Sequence, residues 1–119
     1  MKKILVVDDS ATSRLLFRMH FPKEYPATIE EANSYDSAIT RAGEVQPDII
    51  FLDYNMPGKN GIDVARRLIG SGSSAKFVLF SANLQQSVLE DARVLGFAKI
   101  IEKPITKEKI ASALKDIAP

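Results

Sequence analysis

The sequence predicts an α/β domain in which five parallel β-strands form a sheet with helices on both faces. Short apolar runs recur along the 119 residues. They alternate with segments in which apolar residues repeat at the three- and four-residue steps of an amphipathic helix. Alternating strands and helices with short connections imply a parallel sheet, and the right-handedness of its crossovers leaves few possible topologies. We predict that residues 1–119 form one domain, because a chain of this length can bury its own core.

The predicted strands are short, and four of them are apolar enough to be buried on both faces, as strands of parallel sheets usually are. The second of the five is weak by the same criterion. In chain order the runs are Ile4–Val7, Thr28–Glu31, Ile49–Leu52, Phe77–Phe80 and Lys99–Ile101.

Polar side chains that can accept hydrogen bonds from free backbone amides mark the predicted helix starts. These residues are Asn33, Asn60, Asn83 and Thr106. Glycines at positions 70 and 96 mark the predicted ends of the third and fourth helices, since glycine readily adopts the left-handed conformation found there.

The composition excludes several classes of function. The chain has 45% hydrophobic and 26% charged residues and a formal charge of +1, so nothing indicates disorder or binding to nucleic acid or a membrane surface. It contains no cysteine, which excludes disulfides and thiolate metal sites. The start of the chain, Met1–Val7, is apolar over too few residues for a signal peptide or a membrane span. We therefore expect a cytoplasmic protein whose partners must be inferred from its sites.

Unusual polar residues gather where the predicted strands end. Asp8 and Asp9 follow the first strand, Asp53 ends the third, Ser81 ends the fourth and Lys103 follows the fifth. In open α/β sheets, ligands bind beyond the carboxyl ends of the strands, where the strand order reverses. The sequence therefore predicts that these five side chains form one site.

The chemistry of this site points to a metal ion and to phosphoryl transfer. Three carboxylates in proximity would raise one another's pKa unless a cation intervened. Oxygen ligands without histidine or cysteine favour Mg²⁺, or Mn²⁺, over zinc. With a lysine ammonium and a hydroxyl beside them, the carboxylates suit phosphoryl transfer, in which Asp53 would be the nucleophile.

Five fragments in order give the chain a family resemblance. They are Val6–Ser10, Pro47–Asp53, Met56–Gly58 with Gly61, Ser81–Ala82, and Lys103–Pro104. Together they resemble a bacterial response-regulator receiver domain of the CheY-like, stand-alone kind, over essentially the whole chain. The resemblance implies a flavodoxin-like fold with strand order 2-1-3-4-5. It also implies a phosphorelay role, in which a histidine kinase, a histidine phosphotransfer protein or a small phosphodonor phosphorylates Asp53.

The same resemblance implies a metal site. Asp9 and Asp53 would bind Mg²⁺ directly, Asp8 would bind it through water, and Asn55 would contribute its main-chain carbonyl.

Further roles in phosphoryl binding follow from the resemblance. Ser81 and the amide of Ala82 would hold the phosphoryl oxygens, and Lys103 would pair with them. The peptide bond from Lys103 to Pro104 is often cis in the family. Asn55 would flank the line along which water attacks the phosphoryl group.

Three positions depart from the family pattern and concern signalling more than chemistry. Ile100 stands where an aromatic residue is common, Phe97 where a small residue is usual, and Ile105 where phenylalanine is frequent. We expect a monomer that docks to a downstream protein through the fourth helix, fifth strand and fifth helix, with Lys99, Ile105 and Lys107 as contacts.

Two other functions remain open from the sequence. An aspartate-nucleophile phosphohydrolase would turn over external substrates, but such enzymes usually carry an Asp-x-Asp pattern after the first strand, where this chain has adjacent Asp8 and Asp9. An unphosphorylated receiver-like adaptor would bind protein only, but such domains usually lack the acidic pair or the lysine, and this chain retains both. A nucleotide or flavin module is set aside because no glycine-rich phosphate loop follows the first strand.

Overall fold

The computed structural model describes residues 1–117, which form five parallel strands and five helices in strict alternation. The strands are β1 (Lys2–Val7), β2 (Ala27–Ala32), β3 (Ile49–Asp53), β4 (Lys76–Ser81) and β5 (Lys99–Glu102). The helices are α1 (Ala11–His20), α2 (Tyr35–Val45), α3 (Gly61–Gly70), α4 (Gln86–Leu95) and α5 (Lys107–Ile117). The sheet order is β2-β1-β3-β4-β5, which confirms the predicted flavodoxin-like α/β topology.

Two apolar layers cover the faces of the sheet, since successive side chains of a strand point to opposite sides. On one face, β1, β3 and β4 pack against α2, α3 and α4. On the other face the same strands pack against α1 and α5, around the fully buried ring of Phe17. All five residues of β3 are buried, so the strand that ends at Asp53 is held on both sides.

The described helices of residues 1–117 include none that is both long and apolar enough to cross a lipid bilayer.

Two of the predicted helix caps are confirmed. Asn60 accepts a hydrogen bond from the amide of Asp63 at 3.0 Å, and the Asp63 carboxylate accepts from the amide of Asn60 at 2.9 Å, which forms a capping box. Thr106 accepts from the amide of Lys109 at 3.2 Å, directly before α5. Both caps lie on loops at the carboxyl edge of the sheet, so they fix the helices that border the site.

The other two predicted caps are wrong. Ser34, not Asn33, caps α2, because its hydroxyl accepts from the amide of Ser37 at 3.1 Å. Helix α4 begins after Gln85 without a side-chain cap. Asn83 lies two residues before the cap position, which Gln85 occupies, and its backbone is bound to the hydroxyl of Ser81 through a 3.1 Å hydrogen bond.

The glycine signals differ in their outcome. Gly96 ends α4 with a φ of 80°, as predicted. Gly70 is the last residue of α3, but Ser71 is the cap and the left-handed residue is Gly72, with a φ of 92°. The predicted end of α3 at Gly70 is therefore confirmed, but the left-handed conformation expected there lies two residues later.

We expect Gly61→Ala to destabilise the fold by about 1–3 kcal/mol, as overpacking of a close contact does. Gly61 opens α3 directly against the strand end, and a Cβ there would lie 2.6 Å from the carbonyl oxygen of Asp53 and 3.1 Å from the Cβ of Leu52. Urea denaturation would measure the loss. The matched control is Gly43→Ala in α2, where, within residues 1–117, no atom outside the neighbouring residues and the backbone of the helix itself lies within 4 Å of the added Cβ. Equal stability of the two variants would contradict the packing argument.

Candidate functional site

The predicted site residues converge at the carboxyl edge of the sheet. Strands β1 and β3 are neighbours, so Asp8, directly after β1, lies beside Asp53 at the end of β3. One carboxylate oxygen from each of Asp8, Asp9 and Asp53 lies within 4.8 Å of the others. Asp8 and Asp53 are each only 3% exposed, whereas Asp9 is open to solvent. The three acidic residues therefore form a cluster with a buried floor and an open side.

Lys103 provides the positive charge of the cluster. Its Nζ lies 3.0 Å from Oδ1 of Asp53 and 3.8 Å from Oδ2 of Asp8. Its backbone amide donates to the carbonyl of Ser81 at 2.9 Å, which ties the start of the β5–α5 loop to β4. The peptide bond to Pro104 is cis, as the resemblance implied. The structure thus places Lys103 against the residue predicted to be the nucleophile.

The surroundings of Asp53 disfavour the charged form of its carboxyl group. Burial raises the pKa of Asp53, the charge of Asp8 raises it further, and Lys103 and the backbone of Asn55 offset only part of this. Within residues 1–117, Oδ1 of Asp53 is buried and has no hydrogen-bond partner of good geometry, only the ion pair with Lys103. The cluster holds more negative than positive charge, so it is incomplete as a purely protein structure.

These residues fit a hard divalent cation. The available metal ligands are carboxylate or carbonyl oxygens, Oδ1 of Asp53 has no hydrogen bond within residues 1–117, and Asp9 is accessible from solvent. Mg²⁺ binds through one or two carboxylates and keeps several waters, which suits a cluster with an open side.

Ser81 is fully buried at the end of β4, and its hydroxyl is engaged by its own loop. The Oγ atom donates to the carbonyl of Asn83 at 2.7 Å and accepts from the amide of Asn83 at 3.1 Å. Ala82 follows as an exposed residue, and Asn55 is exposed on the β3–α3 loop. The structure places both at the rim of the site, and their predicted ligand roles stay predictions.

Arg14, which no sequence pattern singles out, holds the loop that carries Asp8. Arg14 of α1 donates from Nη1 to the carbonyl of Asp8 at 2.6 Å and from Nε to Glu31 of β2 at 2.7 Å. The Asp8 carboxylate also accepts from the amide of Ser10 at 2.9 Å, as a helix-start aspartate does. Nothing in the sequence pairs Arg14 with Glu31, because an arginine on an amphipathic helix normally faces solvent.

We expect Glu31→Gln to lower stability at neutral pH by about 1 kcal/mol, the upper range for partly exposed ion pairs. Hydrogen bonds from Arg18, and then from Arg14, hold the pKa of Glu31 below its ordinary range in spite of its burial. A lowered folded-state pKa contributes stability that is present above the unfolded pKa and is lost as the pH falls through the folded one.

Urea denaturation at neutral pH and at about pH 3, below the ordinary range for glutamate, would measure this effect. The difference between Glu31→Gln and the native chain should shrink at the lower pH. Glu24→Gln is the control, because the Glu24 carboxylate makes no ion pair or hydrogen bond within residues 1–117. A difference of constant size at both pH values would refute the role of the Glu31 charge.

Comparison with known proteins agrees with this geometry. The family model "Response regulator receiver domain" matches residues 4–115. The chain is 30% identical over 117 residues to the chemotaxis protein CheY of Thermotoga maritima, which covers 98% of each chain. Among solved structures, the NarL receiver domain of Mycobacterium tuberculosis matches with a TM-score of 0.87 and 25% identity, over 97% of this chain and 94% of that one.

A second solved structure is the CheX–CheY–BeF3–Mg complex of Borrelia burgdorferi. It matches with a TM-score of 0.87 and 22% identity, over 98% of this chain and 88% of that one, and shows the shared fold. The match of the family model over nearly the whole length, together with the CheY relative, shows that the chain belongs to the response-regulator receiver domain family.

Proposed function

We propose that this chain is a phosphoacceptor switch of two-component signalling, in which Asp53 accepts a phosphoryl group in a Mg²⁺-dependent reaction. One observation carries the proposal. The carboxylate of Asp53 is buried at a strand end with an oxygen that lacks a hydrogen bond, 3.0 Å from the Lys103 ammonium and beside two further carboxylates. A buried carboxylate with a purely structural role would have its hydrogen bonds satisfied, whereas a nucleophile needs an oxygen without a hydrogen bond beside groups that stabilise the transferred charge.

The metal would be held by Asp8, Asp9 and Asp53, with the main-chain carbonyl of Asn55 as a further ligand. When bound, Mg²⁺, or Mn²⁺, supplies positive charge that offsets the negative charge of the phosphoryl oxygens. The CheY of Borrelia burgdorferi, which shares this fold, was solved with BeF3 and Mg. This supports the proposal that the site of this chain binds Mg²⁺ together with a phosphoryl group.

The residues of the site would have different roles in phosphoryl transfer. A carboxylate oxygen of Asp53 attacks the phosphorus of the donor, the bond from phosphorus to the donor nitrogen breaks, and the electron pair leaves with the donor imidazole. Lys103 then pairs with a phosphoryl oxygen, which its position beside Oδ1 of Asp53 allows. The Ser81 hydroxyl and the Ala82 amide donate to the remaining oxygens.

The partners follow from this chemistry. The donor would be a histidine kinase or a histidine phosphotransfer protein, and small phosphodonors would substitute for it. The downstream partner would be a protein that binds the face formed by α4, β5 and α5, with Lys99, Ile105 and Lys107 as contacts. On this proposal the chain acts as a cytoplasmic monomer without turnover of an external substrate.

Incubation with phosphoramidate, followed by intact mass measurement, tests the proposal. We expect one phosphoryl group per chain with Mg²⁺ and none with EDTA, and hydroxylamine should remove the group because acyl phosphates are reactive. Absence of any mass increase with Mg²⁺ would favour the adaptor function. Sustained release of phosphate from excess p-nitrophenyl phosphate would favour the phosphohydrolase instead.

A further inference from the structure

A second lysine, outside the acidic cluster, contacts the loop that carries Lys103. Lys109, in the first turn of α5, donates from Nζ to the carbonyl of Glu102 at 2.8 Å and to the carbonyl of Pro104 at 3.0 Å. These two residues are the neighbours of Lys103 on either side. One ammonium therefore holds both carbonyls that flank the lysine of the site.

The backbone around Lys103 is thus fixed from two directions. On the sheet side, the amide of Lys103 donates to Ser81 of β4 at 2.9 Å. On the helix side, Lys109 bonds to the preceding and following carbonyls. Among residues 1–117, strand β5 is at the edge of the sheet and pairs only with β4, so a donor for its outer carbonyls has to come from outside the sheet.

Lys109 is itself held in place. Its backbone amide donates to the hydroxyl of Thr106 at 3.2 Å, at the start of α5. Its side chain is half-buried, and it makes charge-assisted hydrogen bonds, which are stronger than neutral ones. A lysine that only solvated the helix surface would make neither contact.

We propose that Lys109 is a positioning residue for phosphoryl transfer, which holds the Glu102–Pro104 backbone so that Lys103 points at Asp53. This inference rests on the proposed function of Asp53 as phosphoacceptor. Lysine has a flexible four-carbon stem, so the aim of its ammonium depends on where its backbone is fixed. A displacement of about 1 Å in a catalytic group can cost as much as a factor of 100 in rate.

The test compares Lys109→Met with Lys109→Arg and with Lys115→Met. Methionine keeps the apolar stem of lysine and removes the donors, whereas arginine retains donors for both carbonyls. Lys115, on the same helix, is exposed and makes no hydrogen bond or ion pair in the described part of the chain. Urea denaturation confirms that each variant is folded before it is assayed.

The first measurement is the rate of phosphorylation by phosphoramidate with Mg²⁺. We expect Lys109→Met to lower this rate by about tenfold, because the Lys103 ammonium is still present but is no longer held in position beside Asp53. Lys109→Arg should restore most of the rate, Lys115→Met should match the native chain, and Mg²⁺ affinity should be unchanged in all of them. A native rate in Lys109→Met, or a loss of Mg²⁺ affinity as large as the loss of rate, would overturn the proposal.

The second measurement needs no phosphorylation. In the metal-free native protein, the ¹³Cε resonance of Lys103 reports its contact with Asp53, and we expect it to move towards that of free lysine in Lys109→Met but not in Lys115→Met. If the native chain accepts no phosphoryl group, the proposed function fails, and this resonance still decides whether Lys109 holds Lys103. An unmoved resonance in Lys109→Met would overturn the positioning role.

Discussion

Asp53→Asn is expected to abolish stable phosphorylation by phosphoramidate and Mg²⁺. An amide is a poor nucleophile at neutral pH, and it would also replace an anionic ligand of the proposed Mg²⁺ with a neutral one. Asp8 and Asp9 remain in this variant, but they follow β1, and the Asp8 carboxylate is farther from the Lys103 ammonium, at 3.8 Å against 3.0 Å for Asp53. Intact mass after incubation should show no phosphoryl group on the variant.

The variant should nevertheless be folded, and its stability provides a separate readout. Because burial raises the pKa of Asp53, the charged carboxylate destabilises the metal-free fold at neutral pH, and stability is lost as the pH rises through that pKa. Asp53→Asn should therefore be at least as stable as the native chain in EDTA at pH 7. Added Mg²⁺ should stabilise the native chain more than the variant.

Asp48→Asn is the matched control, because Asp48 is exposed and precedes the other end of the same strand. It should be phosphorylated like the native chain. A full phosphoryl mass on Asp53→Asn, or its absence from Asp48→Asn, would remove Asp53 from the role of acceptor.

The positions of the site residues in the fold were predictable from the sequence, because the sheet topology brings the ends of their strands to one edge. Buried strands are recognisable as apolar runs, and parallel strands end at one edge, so Asp8, Asp53 and Ser81 had to meet once the fold class was correct. The sequence did not show which side chains are already engaged. The Ser81 hydroxyl bonds to its own loop, and Asp8 receives the amide of Ser10.

The supporting residues were not predictable, for physical reasons. Arg14 and Lys109 both act on backbone carbonyls of other segments, and every residue type has such a carbonyl. A pattern of side chains therefore contains no signal for the contact. The wrong caps have a similar cause: Asn33 and Ser34 are both good caps, and only the local backbone decides between them.

Two of the three departures from the family pattern, Phe97 and Ile100, pack against an apolar layer of the sheet. The ring of Phe97 lies 5.7 Å from that of Phe77, so it extends the apolar layer over β4. Ile100 is paired with Leu79 across the strands and is half-buried against the same layer. Both residues tie β5 to the core, which favours a fifth strand that stays in place when the site changes.

Phosphorylation is therefore expected to move the β4–α4 loop and to leave Ile100 packed. The phosphoryl group would take the Ser81 hydroxyl from the carbonyl of Asn83, where it now donates at 2.7 Å, and this would release residues 82–85 and the start of α4. A hydrogen bond to a charged acceptor contributes about 1.5–3 kcal/mol, whereas moving an equilibrium from 1:99 to 99:1 takes about 5.5 kcal/mol. Ser81 alone would give a partial shift, and the Lys103 pairing must supply the rest.

Amide and methyl NMR with and without BeF3⁻ and Mg²⁺ would measure this switch. Ser81→Ala should still bind the phosphoryl mimic through Lys103 but lose most of the change in residues 82–85, because alanine has no hydroxyl to transfer. Ser87→Ala, at an exposed position of α4, is the matched control and should respond like the native chain. A rotamer change at Ile100 with no change in residues 82–85 would refute this mechanism. The signal would then reach α4, β5 and α5 through Ile100 of β5 and not through Ser81.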